Sequence, residues 1–366
     1  MGKDFDMVIE LLKEKSAEFF VMQSGGANFL YATKFRSTST MFYFAGIDGT
    51  ELLLLPEMEL GRAVRESRVK EIASYEMLGY EDKLKEVGDP RKAIAEIVVQ
   101  VLKEGRARKI LIPNDFPAFF AFELQKNFEV ETVENPFSEM RAVKRDHELA
   151  EIRENCKKIV QVFPKILKII RNRKISCERA REILERELWL RGLIAENTIC
   201  VSGKLSADPH ELGKGPIEEH ILIDVFPKNK RGYYADFTRT ILLEQNAELK
   251  EMLMAVIDAQ KVAFSKLREG INGREVHIAV KETIESHGFK SSKSEGFIHS
   301  TGHGVGLEVH EKPRIGDVDV ILKSGMVVTV EPGLYYKKVG GVRVEDVVLI
   351  RKNDCEILTP FERFLV

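Results

Sequence analysis

The sequence predicts two domains, an α/β domain followed by an α+β domain with an internal pseudo-repeat. Three observations carry that expectation. The chain has 366 residues, more than a single hydrophobic core usually serves. A polar break containing proline, Glu134-Asn135-Pro136, interrupts the hydrophobic pattern. Beyond it the order is two helices, strands, two helices and strands again, a rough twofold pattern that fits an antiparallel sheet covered by helices. The domains are drawn accordingly as residues 1–134 and 135–366.

Composition narrows the class. Hydrophobic residues make up 44% and charged residues 31%, which supplies both a core and a water-soluble surface. The 56 basic residues nearly balance the 58 acidic ones, so bulk charge points to neither nucleic acid nor an anionic membrane. No apolar run reaches spanning length, and MGKDFDMVIELLKEK is too mixed in charge for a signal peptide. Cys156, Cys177, Cys200 and Cys355 form no CxxC pair, which fits reduced thiols in the cytoplasm.

In the first domain, Met7, Ile9, Leu11 and Leu12 support a short amphipathic helix. Asp48-Gly49 marks a hairpin within TMFYFAGIDGTELLLLP. Residues 91–104 have helical period, and 110–112 and 128–133 read as strands. Ser24-Gly25-Gly26 is a loop signal that lacks the P-loop lysine.

The second domain opens with a long helix, 146–170, whose acidic start (Asp146, Glu148) suits the positive end of the helix dipole. A second helix follows Ser176 as N-cap, and the only tryptophan, Trp189, is read as core. Asn246 caps a third helix, and residues 274–287 form a fourth, ended by Gly288.

Chemistry concentrates in the strands. Residues 221–243, ILIDVFPKNKRGYYADFTRTILL, read as a β-hairpin turning near Lys230, which sets Asp224 directly opposite Asp236. Like charges facing each other on a sheet are destabilising, so a cation between them is expected. Cross-strand Cβ atoms lie ~4.5–5.5 Å apart, enough for two carboxylates to share metals spaced ~3.5–4 Å. The closing strands, 299–310, 327–331 and 342–350, add further donors. IHSTGHGVGLEVHE carries His299, His303 and His310; VVTVEPG ends on Glu331; GGVRVEDVVLI holds Glu345, with Arg343 on its face and Asp346 on the other. A buried, ionised glutamate is costly unless paired or bound to metal. Carboxylates joined by an imidazole suit Mn²⁺, Co²⁺, Fe²⁺ or Zn²⁺.

The segments LID…GYYADFTRT, STGHGVGLEVHE, VEPGLY and GGVRVED resemble those of the pita-bread metallopeptidases: Xaa-Pro dipeptidase (prolidase), aminopeptidase P and, more distantly, methionine aminopeptidase. The resemblance covers the chain, with a creatinase-like N-terminal domain. It implies a dinuclear centre held by Asp224, Asp236, His303, Glu331 and Glu345, with Glu331 doubling as acid/base. It also implies that His210 and His310 act on substrate and transition state, and that the protein is a homodimer. Arg314, in HEKPRI, is then the candidate for the carboxylate of a small proline-containing peptide, and Arg343 is expected to orient Glu345 from behind.

In one place the sequence departs from that pattern. Asp224-Val225-Phe226-Pro227 stands where the family has a small Asp-x-Gly segment, and the aspartate spacing is longer. A bulge is the expected way to absorb the extra residue, and Phe226 bears on substrate preference. The reaction implied is hydrolysis of the bond before proline. Aminopeptidase P, acting on longer peptides, is the alternative. A non-catalytic peptide-binding module, whose relatives lose ligands, is the alternative from another class.

Overall fold

The computed structural model describes residues 3–171 and 175–366. The chain forms two compact units, Met1–Met140 and Arg141–Val366. The first unit therefore extends past the expected break at Glu134. The reason is local packing: the Phe137 ring meets Phe20 and Tyr43 edge-on, and Asn28 donates to Ser138 at 3.0 Å.

The first unit is a mixed sheet, β1 (Phe19–Gln23), β2 (Phe42–Gly46), β3 (Glu51–Leu55), β4 (Glu71–Ser74), β5 (Lys109–Pro113) and β6 (Glu129–Val133), in the order β4-β3-β2-β1-β5-β6. Its β2–β3 turn uses Asp48, whose carboxylate accepts from the Thr50 amide at 3.0 Å. The expected helix runs Pro90–Glu104, capped by Asp89.

The second unit is α+β. Its strands are β7 (Leu193–Ile194), β8 (Ile199–Ser202), β9 (His220–Val225), β10 (Lys228–Asn229), β11 (Phe237–Leu242), β12 (Gly302–Gly304), β13 (Glu311–Ile315), β14 (Val327–Val330), β15 (Gly333–Tyr336), β16 (Gly340–Arg343), β17 (Asp346–Ile350) and β18 (Cys355–Ile357). They pair antiparallel as β11-β9-β8, β13-β12-β14-β17-β18, β15-β16 and β10-β7. A bridge from Thr238 to Glu345 joins the first two groups.

Helix pairs cover this sheet, and the period-two alternation of the strands shows how. Val347 and Leu349 share one core with helices Asp146–Arg171 and Cys177–Trp189, together with Ile221, Ile223 and Phe237. Val348, Ile350, Val328 and Val330 share the other core with helices Ala247–Lys266 and Gly273–Ser286. Strands covered on both sides explain why VVTV and DVVLI are apolar at nearly every position.

Three expectations are corrected. Trp189 is 67% exposed; the buried stripe of its helix is Cys177, Ala180, Leu184 and Leu188, and the next residue lies about 100° around the helix from that stripe. Residues 299–310 do not form one strand. Only Gly302–Gly304 pairs, and the chain then loops to β13. Residues 342–350 are two strands, because β16 pairs with β15 whereas β17 pairs with β14. Glu345 sits at the switch, its amide donating to Thr238 O at 3.0 Å.

Arg239 locks the C-terminal segment beneath this switch. Fully buried, it donates to Glu345 O at 2.6 Å, to Asp346 at 2.7 Å and to Glu362 O at 2.9 Å. Removing one partner of a buried ion pair leaves an uncompensated charge. Arg239→Met should lower stability by about 3–5 kcal/mol in denaturant unfolding; an unchanged midpoint would show that the pair carries no such weight.

Candidate metal centre and active site

Asp224, Asp236, His303, Glu331 and Glu345 converge within the second unit. His303 Nε2 lies 3.3 Å from Glu331 and 3.9 Å from Asp236. One donor atom each from Asp236, His303 and Glu345 falls within 4.8 Å of the others. Asp224 joins them through its charge, which acts on both Asp236 and Glu345.

The hairpin register differs from the expected one. Asp224 faces Thr238, and the ladder runs unbroken from Val225–Phe237 to His220–Leu242. The turn is tight but centred on Arg231, with the Gly232 amide donating to Asn229 O at 2.9 Å, the Asn229 amide to Tyr233 O at 3.0 Å and Lys228 bridged to Tyr234; Lys228 and Asn229 also pair with Ile194 and Leu193. Asp236 thus precedes the first paired residue of β11, two positions from Thr238. No bulge interrupts the hairpin, the Ala235 amide donating to Pro227 O at 3.0 Å in the same register, and Phe226 sits half-buried beside it.

Electrostatics show what this crowding does. Burial, then the charges of Glu345, Asp224 and Glu331, push Asp236 well above its ordinary range. Burial, then Glu331 and Asp224, raise Glu345 to about 8. Burial alone would depress His303, yet its hydrogen bond to Glu331 and the nearby carboxylate charges hold it at about 9. Burial would raise Glu331, but that same hydrogen bond and the charges of His303, His299 and Arg343 bring it to about 2. Protons thus stand where positive charge is needed.

A divalent cation fits that demand. Asp224 Oδ1 is buried without a hydrogen-bond partner. His303 Nδ1 donates to Gly304 O at 3.1 Å, which leaves Nε2 as the ligating nitrogen. The chemistry of the donor set, carboxylates plus one imidazole, suits the same ions.

Residues behind the donors fix their orientation. Arg343 Nη2 donates to Asp224 Oδ2 at 2.6 Å, Nη1 to the Tyr335 hydroxyl at 2.7 Å and Nε to Thr238 at 3.3 Å. Thr238 in turn donates to Glu345 at 2.7 Å. Arg343 therefore holds Asp224 directly and reaches Glu345 only through Thr238, a correction to its expected role. Its guanidinium is long enough to cross from β16 to β9, beyond its own strand neighbour. Asp346 instead pairs with Arg239 and Arg363.

The remaining expected residues are spread around this centre. The His310 ring stands edge-on to His303 at 4.2 Å. His210 is exposed, on a loop that Arg343 reaches through Pro209 O at 3.5 Å, and its charge acts on His299 and His310. Arg314 is exposed on β13 opposite His303, with its charge acting on His277.

Sequence reasoning missed Tyr335 and Thr238, and it named His299 without giving it a role. His299 Nδ1 donates to Ser300 O at 2.8 Å, and its Nε2 meets the Tyr335 hydroxyl at 3.0 Å. The available signals were a hydroxyl two residues after Asp236 and a tyrosine just past VEPG, both weak without a partner in view.

A carboxylate–imidazole centre on a helix-covered antiparallel sheet defines the class: a divalent-metal site in a pita-bread fold. Residues 150–352 match metallopeptidase family M24, and residues 6–143 match the creatinase/prolidase N-terminal domain. The chain belongs to metallopeptidase family M24, whose members depend on divalent metal ions. It is 32% identical over 324 residues to an Xaa-Pro dipeptidase of Pyrococcus horikoshii, covering 86% of this chain and 85% of that one. It is 38% identical over 250 residues to an uncharacterised peptidase of Methanocaldococcus jannaschii, covering 64% and 68%. The crystal structure of the prolidase from Pyrococcus horikoshii superposes with a TM-score of 0.83 at 28% identity, covering all of both chains. Among the described residues no helix is long and apolar enough to cross a membrane.

The pKa shifts set a sign for pH dependence. Burial depresses His220, His277, His299 and His310, so above about pH 7.5 they are neutral folded and unfolded alike. In that range Asp236, Glu345 and His303 bind protons more tightly in the folded state. Their contribution is present at low pH and is lost as pH climbs through the folded values. Metal-stripped protein should lose Tm between about pH 7.5 and 9, whereas metal-loaded protein should not. A flat profile for stripped protein would contradict the proton assignment.

Proposed function

We propose that this metallopeptidase hydrolyses Xaa-Pro dipeptides, using two divalent ions held by Asp224, Asp236, His303, Glu331 and Glu345, with Mn²⁺ or Co²⁺ as first choices and Zn²⁺ or Fe²⁺ as others. The observation that carries the reading is the donor cluster itself, in which atoms of Asp236, His303 and Glu345 lie within 4.8 Å of one another and His303 Nε2 stands 3.3 Å from Glu331. The Xaa-Pro dipeptidase among the relatives supports the substrate class. Divalent ions in such a site supply a nucleophile of lowered pKa and polarise a carbonyl. The scattered thiols favour work in the cytoplasm, and a homodimer is the assembly that the family resemblance implies.

The chain's own groups do the remaining work. Glu331 is held as the carboxylate, the form that takes a proton from water and then delivers it to the departing imide nitrogen. His310 is depressed by burial and by the charge of His303, so it is neutral at working pH and donates a hydrogen bond to the developing oxyanion. His210, on its loop at the edge, holds the peptide carbonyl. Arg314 pairs with the free C-terminal carboxylate and so selects for dipeptides.

His310→Ala should retain metal and lose about 10²–10³ in kcat; a loss of metal instead would make it a ligand. Hydrolysis of an Xaa-Pro dipeptide, an Xaa-Pro-Yaa tripeptide and a Met-Ala peptide by stripped and reconstituted protein tests the substrate. One added residue moves the carboxylate by ~3.3–3.6 Å, so the dipeptide should be preferred by roughly tenfold to a hundredfold. Arg314→Ala should erase that preference. Wild-type preference for the tripeptide would move the protein to aminopeptidase P, and absence of turnover on all three would favour a binding module.

A further inference from the structure

We propose that Lys144 and Arg141 are positioning residues for His310, acting through the buried carboxylate of Glu311. The inference rests on the reading that His310 serves the transition state. Among the described residues neither ring nitrogen of His310 has a hydrogen-bond partner, so its backbone must set where the ring stands. The residue that follows it is clamped. The Glu311 side chain is 4% exposed and receives Lys144 Nζ at 2.7 Å and Arg141 Nη2 at shorter range. Burial would raise Glu311, but the charges of Lys144 and Arg141 hold it ionised.

The Lys144 ammonium is used fully. Lys144 Nζ also donates to the carbonyls of Arg141 at 2.7 Å and Ala142 at 3.3 Å, which accounts for its three donors. Arg141 also reaches Glu308 at 2.6 Å, so the loop between His303 and His310 is gripped at a second point. Gly306 lies against the Glu311 carboxylate so closely that a Cβ there would collide with it. The loop's other end is tied by the Val305 amide to Val327 O at 3.1 Å.

The clamp is joined to the strand that carries the acid/base. Lys144 N donates to Gly325 O at 2.9 Å, and Val143 bridges to Met326, immediately before β14, which leads to Glu331. His310 and Glu331 therefore hang from one frame. A buried ion pair is a weak device for stability compared with apolar packing, whereas fixing a loop whose histidine lacks its own hydrogen bonds gives these charges a purpose. Misplacement by about 1 Å can cost about a hundredfold in rate.

The test is a double-mutant cycle on metal-loaded protein. Lys144→Met should lower kcat about a hundredfold with KM and metal content little changed, while Lys144→Arg keeps most activity. In a His310→Ala background the same change should lower kcat by no more than about twofold, because the two act as one unit. Equal losses in both backgrounds would overturn the proposal. If Lys144→Met does not fold, Glu311→Gln takes its place in the same cycle with the same deciding outcomes. Hydrogen exchange needs no substrate: the peptide 305–311 should exchange faster in the variant while 220–225 stays unchanged. Unaltered exchange in 305–311 overturns the clamp even if the enzyme cleaves something other than Xaa-Pro peptides.

Discussion

Four carboxylates around one imidazole, enclosed by a sheet that is apolar on both sides, set the terms for the rest of the second unit. In a low dielectric such groups cannot all ionise. The protein answers partly with protons, on Asp236, Glu345 and His303, and partly with the guanidinium of Arg343 against Asp224. Neither answer satisfies every donor atom, since Asp224 Oδ1 remains buried without a partner. Divalent cations resolve the conflict, and strand geometry decides which atoms meet them.

The sheet accomplishes this by changing partners. At Glu345 the chain leaves the ribbon with β15 and joins β14, and the bridge to Thr238 draws the first hairpin into the same place. One threonine thus orients a glutamate while its backbone registers against it. Beneath, Arg239 ties Glu345, Asp346 and the C-terminal segment together, and behind, Arg343 links Asp224, Thr238 and Tyr335. Two arginines of similar chemistry do different work because one faces the helix-packed core and the other the carboxylates.

Much of this was legible in the sequence, and the failures have physical causes. Aspartates in apolar strands, glutamates ending apolar runs and clustered histidines are expensive patterns, so they stood out without any partner in view. The register between Asp224 and Asp236 did not, because the turn centres on Arg231, one residue beyond Lys230, where the Gly232 amide donates to Asn229 O, and a one-residue shift of the centre moves the facing residue by two. The strand break at Glu345 was hidden because Val342–Ile350 contains no Gly or Pro, and a change of partner leaves no mark of its own on such a run. Trp189 misled because residue type was weighed above helical phase. The reach of Arg343 to Asp224 is a long-range contact that period two cannot reveal.

The central claim is that this cluster is a seat for two cations. Crystals grown with Mn²⁺ and measured near its absorption edge would test it most directly. The account predicts two anomalous peaks ~3.5–4 Å apart, both among the side chains of Asp224, Asp236, His303, Glu331 and Glu345. A fully active crystalline protein showing no peak among these five side chains, or peaks only elsewhere, would contradict it.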